Sequence, residues 1–174
     1  MAIDPAYQTP HGLTDKMRSN LASQGNAILT TINEDGSPNV TELLFDIDGQ
    51  DRILLPTPHS TRKVRNLRQR PLATAFFYDQ PGWTSCTGPV EIIEGEEAAV
   101  FNRRIRDRML TEDGHQTIGR LLAAHENVTL QVTSTKWLSW SSSKLIPGII
   151  ALGGDVERHP PETWFKDLSG GDQL

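Results

Sequence analysis

The sequence predicts an α+β domain: an antiparallel barrel of five or six short strands, closed or split, with helices inserted at two places. Three observations carry this. Short β-rich runs recur with turn signals between them. The apolar period changes from two to 3.6 at residues 94–97, so a helical stretch interrupts the strands. A set of antiparallel strands this small leaves unpaired edges, which a barrel removes.

Residues 1–12 carry two prolines and a glycine without period and are expected to form a loose arm. Thr14 opens a short helix with Leu13, Met17 and Leu21 on one face, closed by Gly25. Residues 27–32 are β-rich, and Asn33-Glu34-Asp35-Gly36 is a turn signal. Residues 38–46 give the returning strand, neither side of it cleanly polar, as expected of a barrel strand that packs on both faces. Asp48-Gly49 turns the chain into Ile53-Leu54-Leu55.

Residues 57–70 follow. Ser60 or Thr61 can cap a helix that Pro71 stops, with Val64 and Leu67 on its packing face and Lys63 and Arg70 close together at the edge. Arg62, Lys63, Arg65, Arg68 and Arg70 lie within nine residues. A helix N-terminus with hydroxyls and cations beside it suits a phosphate or a carboxylate. The same spacing also fits a solvated basic face.

A strand at 73–78 and a turn at residues 79–82 lead into a strand at 83–94, where Gly88-Pro89 predicts a kink, an edge or a bulge. A helix over about 96–110 is expected to bury Ala99, Phe101, Ile105 and Met109; a second, over about 116–125, carries Ile118, Leu121 and Leu122. Residues 128–133 read as a final alternating strand. Beyond Thr135 the chain is polar and aromatic, then apolar around Pro147-Gly148, then loop-like; Trp137, Trp140 and Trp164 favour a tail that docks on a partner subunit.

The 174 residues suit one domain. No run approaches the ~20 apolar residues of a membrane span. Net charge is −5, so a basic cluster at 62–70 implies a local anionic ligand rather than nucleic acid or an anionic membrane. The single cysteine, Cys86, fits a reducing, cytoplasmic compartment. The five histidines are scattered without metal-ligand spacing, and no nucleophile–base set or nucleotide loop is legible. What remains is an anion site on a small barrel, enough for a phosphorylated cofactor that brings its own chemistry.

The run at residues 27–40, then Thr57, Thr61-Arg62-Lys63-Val64-Arg65-Asn66-Leu67 and Arg70-Pro71, resembles the pyridoxamine 5′-phosphate oxidase-like split-barrel superfamily. Residues 62–71, followed by a strand and Gly82-Trp83, are most similar to its flavin/deazaflavin oxidoreductase branch, whose members use FMN or the 8-hydroxy-5-deazaflavin coenzyme. The resemblance implies a six-stranded antiparallel split β-barrel with flanking helices over residues 13–140, with residues 141–174 docking at the interface of a homodimer. It implies cofactor binding by Thr57, Thr61, Arg62, Lys63 and Trp83, and hydride transfer to or from a small organic substrate. A non-catalytic flavin- or haem-binding protein on the same fold is the alternative. Two features depart from the true oxidases: residues 40–45 lack their basic cofactor contacts, and the C-terminus lacks their Arg-x-His segment, which His159 does not supply.

Overall fold

The computed structural model describes residues 12–79, 82–160 and 163–164. The expected arm (but for Gly12), the centre of the turn at residues 79–82 and the end of the expected docking tail lie outside these. Thr14 caps the first helix, α1 (Asp15–Ala22), its Oγ1 accepting from the Met17 N–H at 3.2 Å. Ser23 rather than Gly25 closes it.

Among the described residues, eight strands form one antiparallel sheet that curls into a half-barrel. They are β1 (Asn26–Ile32), β2 (Pro38–Leu44), β3 (Asp46–Ile47), β4 (Ile53–Pro58), β5 (Leu72–Asp79), β6 (Gly82–Ile93), β7 (Asn127–Val132) and β8 (Lys136–Ser141). The spatial order is β2-β1-β5-β6-β7-β4-β3, with β8 added to β6.

The count of six is therefore corrected to eight, for two physical reasons. The expected strand 38–46 breaks at Phe45, where Phe45 and Asp46 are buried in succession and the alternation of a flat strand is lost. Phe45 packs its ring 4.7 Å from that of Phe77. In addition, residues 128–133 are not the last strand. Lys136–Ser141 pairs with Gly82–Thr87 of β6, although its serines and tryptophans carry little alternation.

β6 joins the two halves of the sheet. Its first part pairs with β5 and β8, its last part with β7. Gly88-Pro89 marks the change of partner inside a central strand, not an edge: the Pro89 carbonyl accepts from the Thr133 N–H at 3.0 Å. A Cβ on Gly88 would stand 1.9 Å from the Thr133 carbonyl oxygen, so only glycine permits this crossing.

Further helical stretches complete the domain. The basic helix α2 (Arg62–Gln69) packs on β1 and β6, with Val64 and Leu67 fully buried. The acidic-start helix α3 (Gly95–Met109) packs on β7 and β4. Its buried side chains are Ala98, Asn102 and Ile105, so the face is rotated from the expected one: Val100 is exposed and a polar Asn102 faces the sheet, accepting from Thr129 Oγ1 at 2.8 Å. Arg104 and Arg108 of α3 converge on Asp46, at 2.8 and 3.6 Å, and Arg108 also donates to the Phe45 carbonyl at 2.6 Å.

α4 (Glu112–Gly114), a π turn (His115–Gly119) and α5 (Arg120–Ala123) form one continuous stretch. It begins earlier than expected and leaves Ile118 and Leu121 exposed. α6 (Ile146–Ala151) follows β8 after a short 3₁₀ turn.

The core combines Leu29, Phe45, Leu55, Val64, Phe77 and Leu130 inside the half-barrel. Cys86 is a core side chain whose thiol burial pushes up to about 12, which leaves it unreactive. No helix among the described residues is long and apolar enough to cross a membrane. Gly88→Ala is expected to lower unfolding stability by about 1–3 kcal/mol through overpacking at the crossing; an unchanged denaturant midpoint would contradict this account of the bend.

Candidate functional site

β4 is buried along its length and delivers Thr57, 2% exposed, opposite Val128 of β7. Pro58 then ends the strand. The chain turns through His59, whose N–H donates to the Glu126 carbonyl at 3.0 Å, and Thr61 closes the turn on the Pro58 carbonyl at 3.2 Å. Thr61 is the N-cap of α2 in an extended conformation, but its side chain makes no capping bond. Instead its Oγ1 lies 3.4 Å from Thr57 Oγ1. The first-turn N–H groups of α2 are thus left without a side-chain acceptor.

Lys63 sits in that first turn. Leu67 and Val64 bury their faces of the helix, and Lys63 is drawn down beside them to 8% exposure. Its Nζ donates to Thr57 Oγ1 at 3.1 Å. An ammonium has three donors, and no carboxylate accompanies this one among the described residues. Burial alone holds its pKa below the ordinary lysine value of 10.5. Of the five residues that the family resemblance implies for a cofactor, Thr57, Thr61 and Lys63 are brought together by these bonds.

The arginines behave differently. Arg70 does not stay with Lys63; it reaches the Asn33 carbonyl at 3.3 Å. Arg68 pairs with Glu94 at 2.8 Å, both side chains about half exposed. Arg62 and Arg65 line an open depression of about 540 Å³, with Glu34 and Asp35 at the tip of the β1–β2 hairpin and the amides of Asn33 and Asn66. Asp35 is held below the usual carboxylate range, chiefly by hydrogen bonds from Ser37 Oγ and N–H, with a weaker attraction from Arg62. Two arginines and two carboxylates share that depression, whereas no carboxylate stands beside Lys63 among the described residues.

Trp83 takes no part in the bonds that join Thr57, Thr61 and Lys63. It is half-buried on β6, stacked on Phe76 with ring centroids 5.7 Å apart and in register with Trp140 of β8. Strand alternation puts it on the outer side of the sheet, since Cys86 and Phe77 point into the core.

One polar residue of the basic helix is given no role by sequence reading. Asn66, 8% exposed, donates from Nδ2 to Thr31 Oγ1 at 3.1 Å and to Asn33 Oδ1 at 3.0 Å. Its one signal is an amide three residues after Lys63, on the packing side of the helix. Chemically, a buried ammonium, two hydroxyls and an uncapped helix N-terminus form a donor set for a compact, highly charged oxyanion. A phosphate group fits it. No group of three or more acidic, histidine or cysteine side chains able to hold a metal occurs among the described residues.

Comparison with solved structures gives the same fold. A conserved hypothetical protein from Mycobacterium tuberculosis superimposes with a TM-score of 0.65 at 20% identity, covering 83% of this chain and 92% of its own. An F420 reductase gives 0.57 at 23% identity, covering 72% and 98%. A haem storage protein from Vibrio cholerae gives 0.58 at 15% identity, covering 75% and 94%. No protein of curated function matches the chain in sequence. The model of the pyridoxamine 5′-phosphate oxidase family matches residues 13–141, most of the chain, and the chain belongs to that family.

Proposed function

We propose that the protein is an oxidoreductase that holds FMN or the 8-hydroxy-5-deazaflavin coenzyme by its phosphate and transfers hydride between the ring and a small organic substrate. One observation carries the reading: Lys63 is a buried ammonium with one hydroxyl partner among the described residues, flanked by Thr57, Thr61 and the α2 N-terminus. A buried unpaired charge is costly, and a phosphate bound there offsets that cost. The ring supplies the hydride chemistry when bound. Lys63 and Thr57 fix the phosphate, Thr61 and the helix N–H groups add donors, and Arg62 raises the local positive potential. The protein's part is to bind, orient and exclude water. A flavin- or haem-binding protein without turnover is the second reading, since a haem storage protein shares the fold; reduction of candidate acceptors by the loaded protein separates the two.

The working unit in this reading is a homodimer. The outer side of the sheet carries exposed apolar side chains on β2, β1 and β5, among them Val40 at 59% exposure, Leu72 at 55% and Ile28 at 39%. The register puts Val40 beside Thr30, and Ile28 beside Phe76, on that one side. Such a face on three adjacent strands suits an identical partner, which would bring Trp83 and Trp140 of the same side into the interface. The cytoplasm is its expected location, where a free buried cysteine persists.

Three outcomes are expected. First, Lys63→Met leaves the ligand-free protein at least as stable as wild type at neutral pH. The folded-state pKa of Lys63 is lowered, so the unfolded chain binds more protons between that value and 10.5, and wild-type stability rises with pH through this window. The variant lacks the rise, so the gap between the two closes as pH increases; denaturant unfolding at several pH values measures it.

Second, the same substitution lowers FMN affinity by about 10–100-fold, the equivalent of one charge-assisted bond. Wild-type retention of the yellow cofactor through gel filtration declines as pH climbs through the lowered Lys63 pKa. Undiminished cofactor in the variant would remove the phosphate assignment. Third, Val40→Glu converts a dimer to a monomer in light scattering; a wild-type protein already monomeric at micromolar concentration would sink the dimer.

A further inference from the structure

Asn66 of α2 lies more than thirty residues beyond Thr31 and Asn33 of the β1–β2 hairpin, yet its one buried side chain ties the two elements together. Asn66 spends both Nδ2 protons on the hairpin, one on Thr31 Oγ1 and one on Asn33 Oδ1, at 3.1 and 3.0 Å. Thr31 is itself 1% exposed and accepts a second bond from Asn39 Nδ2 at 3.4 Å, so the acceptor is fixed from both strands of the hairpin. Arg70 adds a bond from the end of α2 to the Asn33 carbonyl.

Asn66 follows Lys63 by three residues, so the two lie on neighbouring positions of one helix flank. The Asn66 bonds hold that flank of α2 against the end of β1. The side chain has an unusual place for an amide: it is buried, and its hydrogen bonds go to side chains rather than to the backbone. The residue also lines the depression beside Arg62.

We propose that Asn66 is a positioning residue of the anion site: by clamping the β1–β2 hairpin onto α2 it keeps Lys63 shielded from water and directed at Thr57. This rests on the phosphate-site reading only for its functional consequence; the clamp itself is a property of the ligand-free chain. Burial is the sole cause of the displaced Lys63 titration, with no charged group of β1, β4 or β6 contributing, so shielding is a quantity that can be followed directly. A shielded ammonium binds an oxyanion more strongly than a hydrated one, since the charge pair forms in a medium of lower dielectric.

The test uses the full chain with lysines labelled by ¹³C reductive methylation, the Lys63 resonance assigned with Lys63→Met. Its titration is followed in wild type, Asn66→Ala, Thr31→Val and Thr31→Ser. Thr31→Val breaks the clamp from the strand side with little change of shape, and Thr31→Ser keeps the acceptor oxygen. In both clamp-breaking variants Lys63 is expected to titrate closer to 10.5 than in wild type, whereas Thr31→Ser matches wild type. FMN affinity is expected to fall about tenfold in the first two, the equivalent of one hydrogen bond to a charge, and to be retained in the third.

A wild-type Lys63 titration in Asn66→Ala and Thr31→Val, with only a lower unfolding midpoint, would reduce Asn66 to a structural bond and overturn the proposal. Failure of wild type to bind FMN or the deazaflavin coenzyme would overturn the cofactor reading instead, while the titration still decides the clamp. If Asn66→Ala does not fold, the Thr31 pair decides the clamp by the same titration.

Discussion

The seating of α2 in the mouth of the half-barrel governs the site. Val64 and Leu67 bury completely between β1 and β6, and the hydrophobic gain, about 1.5–3 kcal/mol for each side chain, fixes the helix in rotation and depth. Once it is fixed, Lys63 has no freedom to reach solvent as a lysine normally does. Its ammonium is carried to the end of β4, where Thr57 waits. The apolar contacts thus hold a charge where it would not settle by itself, and the proposed phosphate binding rests on that conflict.

The sheet makes this seat possible. A single long strand, β6, serves both halves because Gly88 lets Thr133 cross against its backbone and Pro89 forgoes the N–H that the bend would orphan. The other corner is made differently. Phe45 and Asp46 turn inward together, and Arg104 and Arg108 of α3 meet the Asp46 carboxylate where the strand breaks. Charge removed from water at Asp46 has two cationic partners, and the group acts as a brace. Charge removed from water at Lys63 has no anionic partner among the described residues, and the group is disposed to meet a ligand's charge.

Much of this was legible in the chain. Thr14, the turn at residues 33–36 and the basic helix ending before Pro71 follow from local rules, because caps, turns and proline act within a few residues. Other features depended on neighbours far along the chain. Asn102 faces the sheet because Thr129 offers it a hydroxyl, which no helical period reveals. Lys136–Ser141 becomes a strand because the free edge of β6 accepts it, not through its own alternation. Arg70 parts from Lys63 because the Asn33 carbonyl stands within its reach.

The sequence by itself determined the class of the domain, the family and the stretch where cations cluster at a helix start, since turn residues, the helix start and five clustered cations are local facts. It could not rank those cations. Only the tertiary structure decided that: it buries Lys63, pairs Arg68 with Glu94 and Arg70 with a carbonyl, and leaves Arg62 and Arg65 lining an open depression beside the acidic hairpin tip. Charge is written residue by residue, but desolvation is a property of the packed fold, and desolvation is what makes Lys63 the residue on which the site turns.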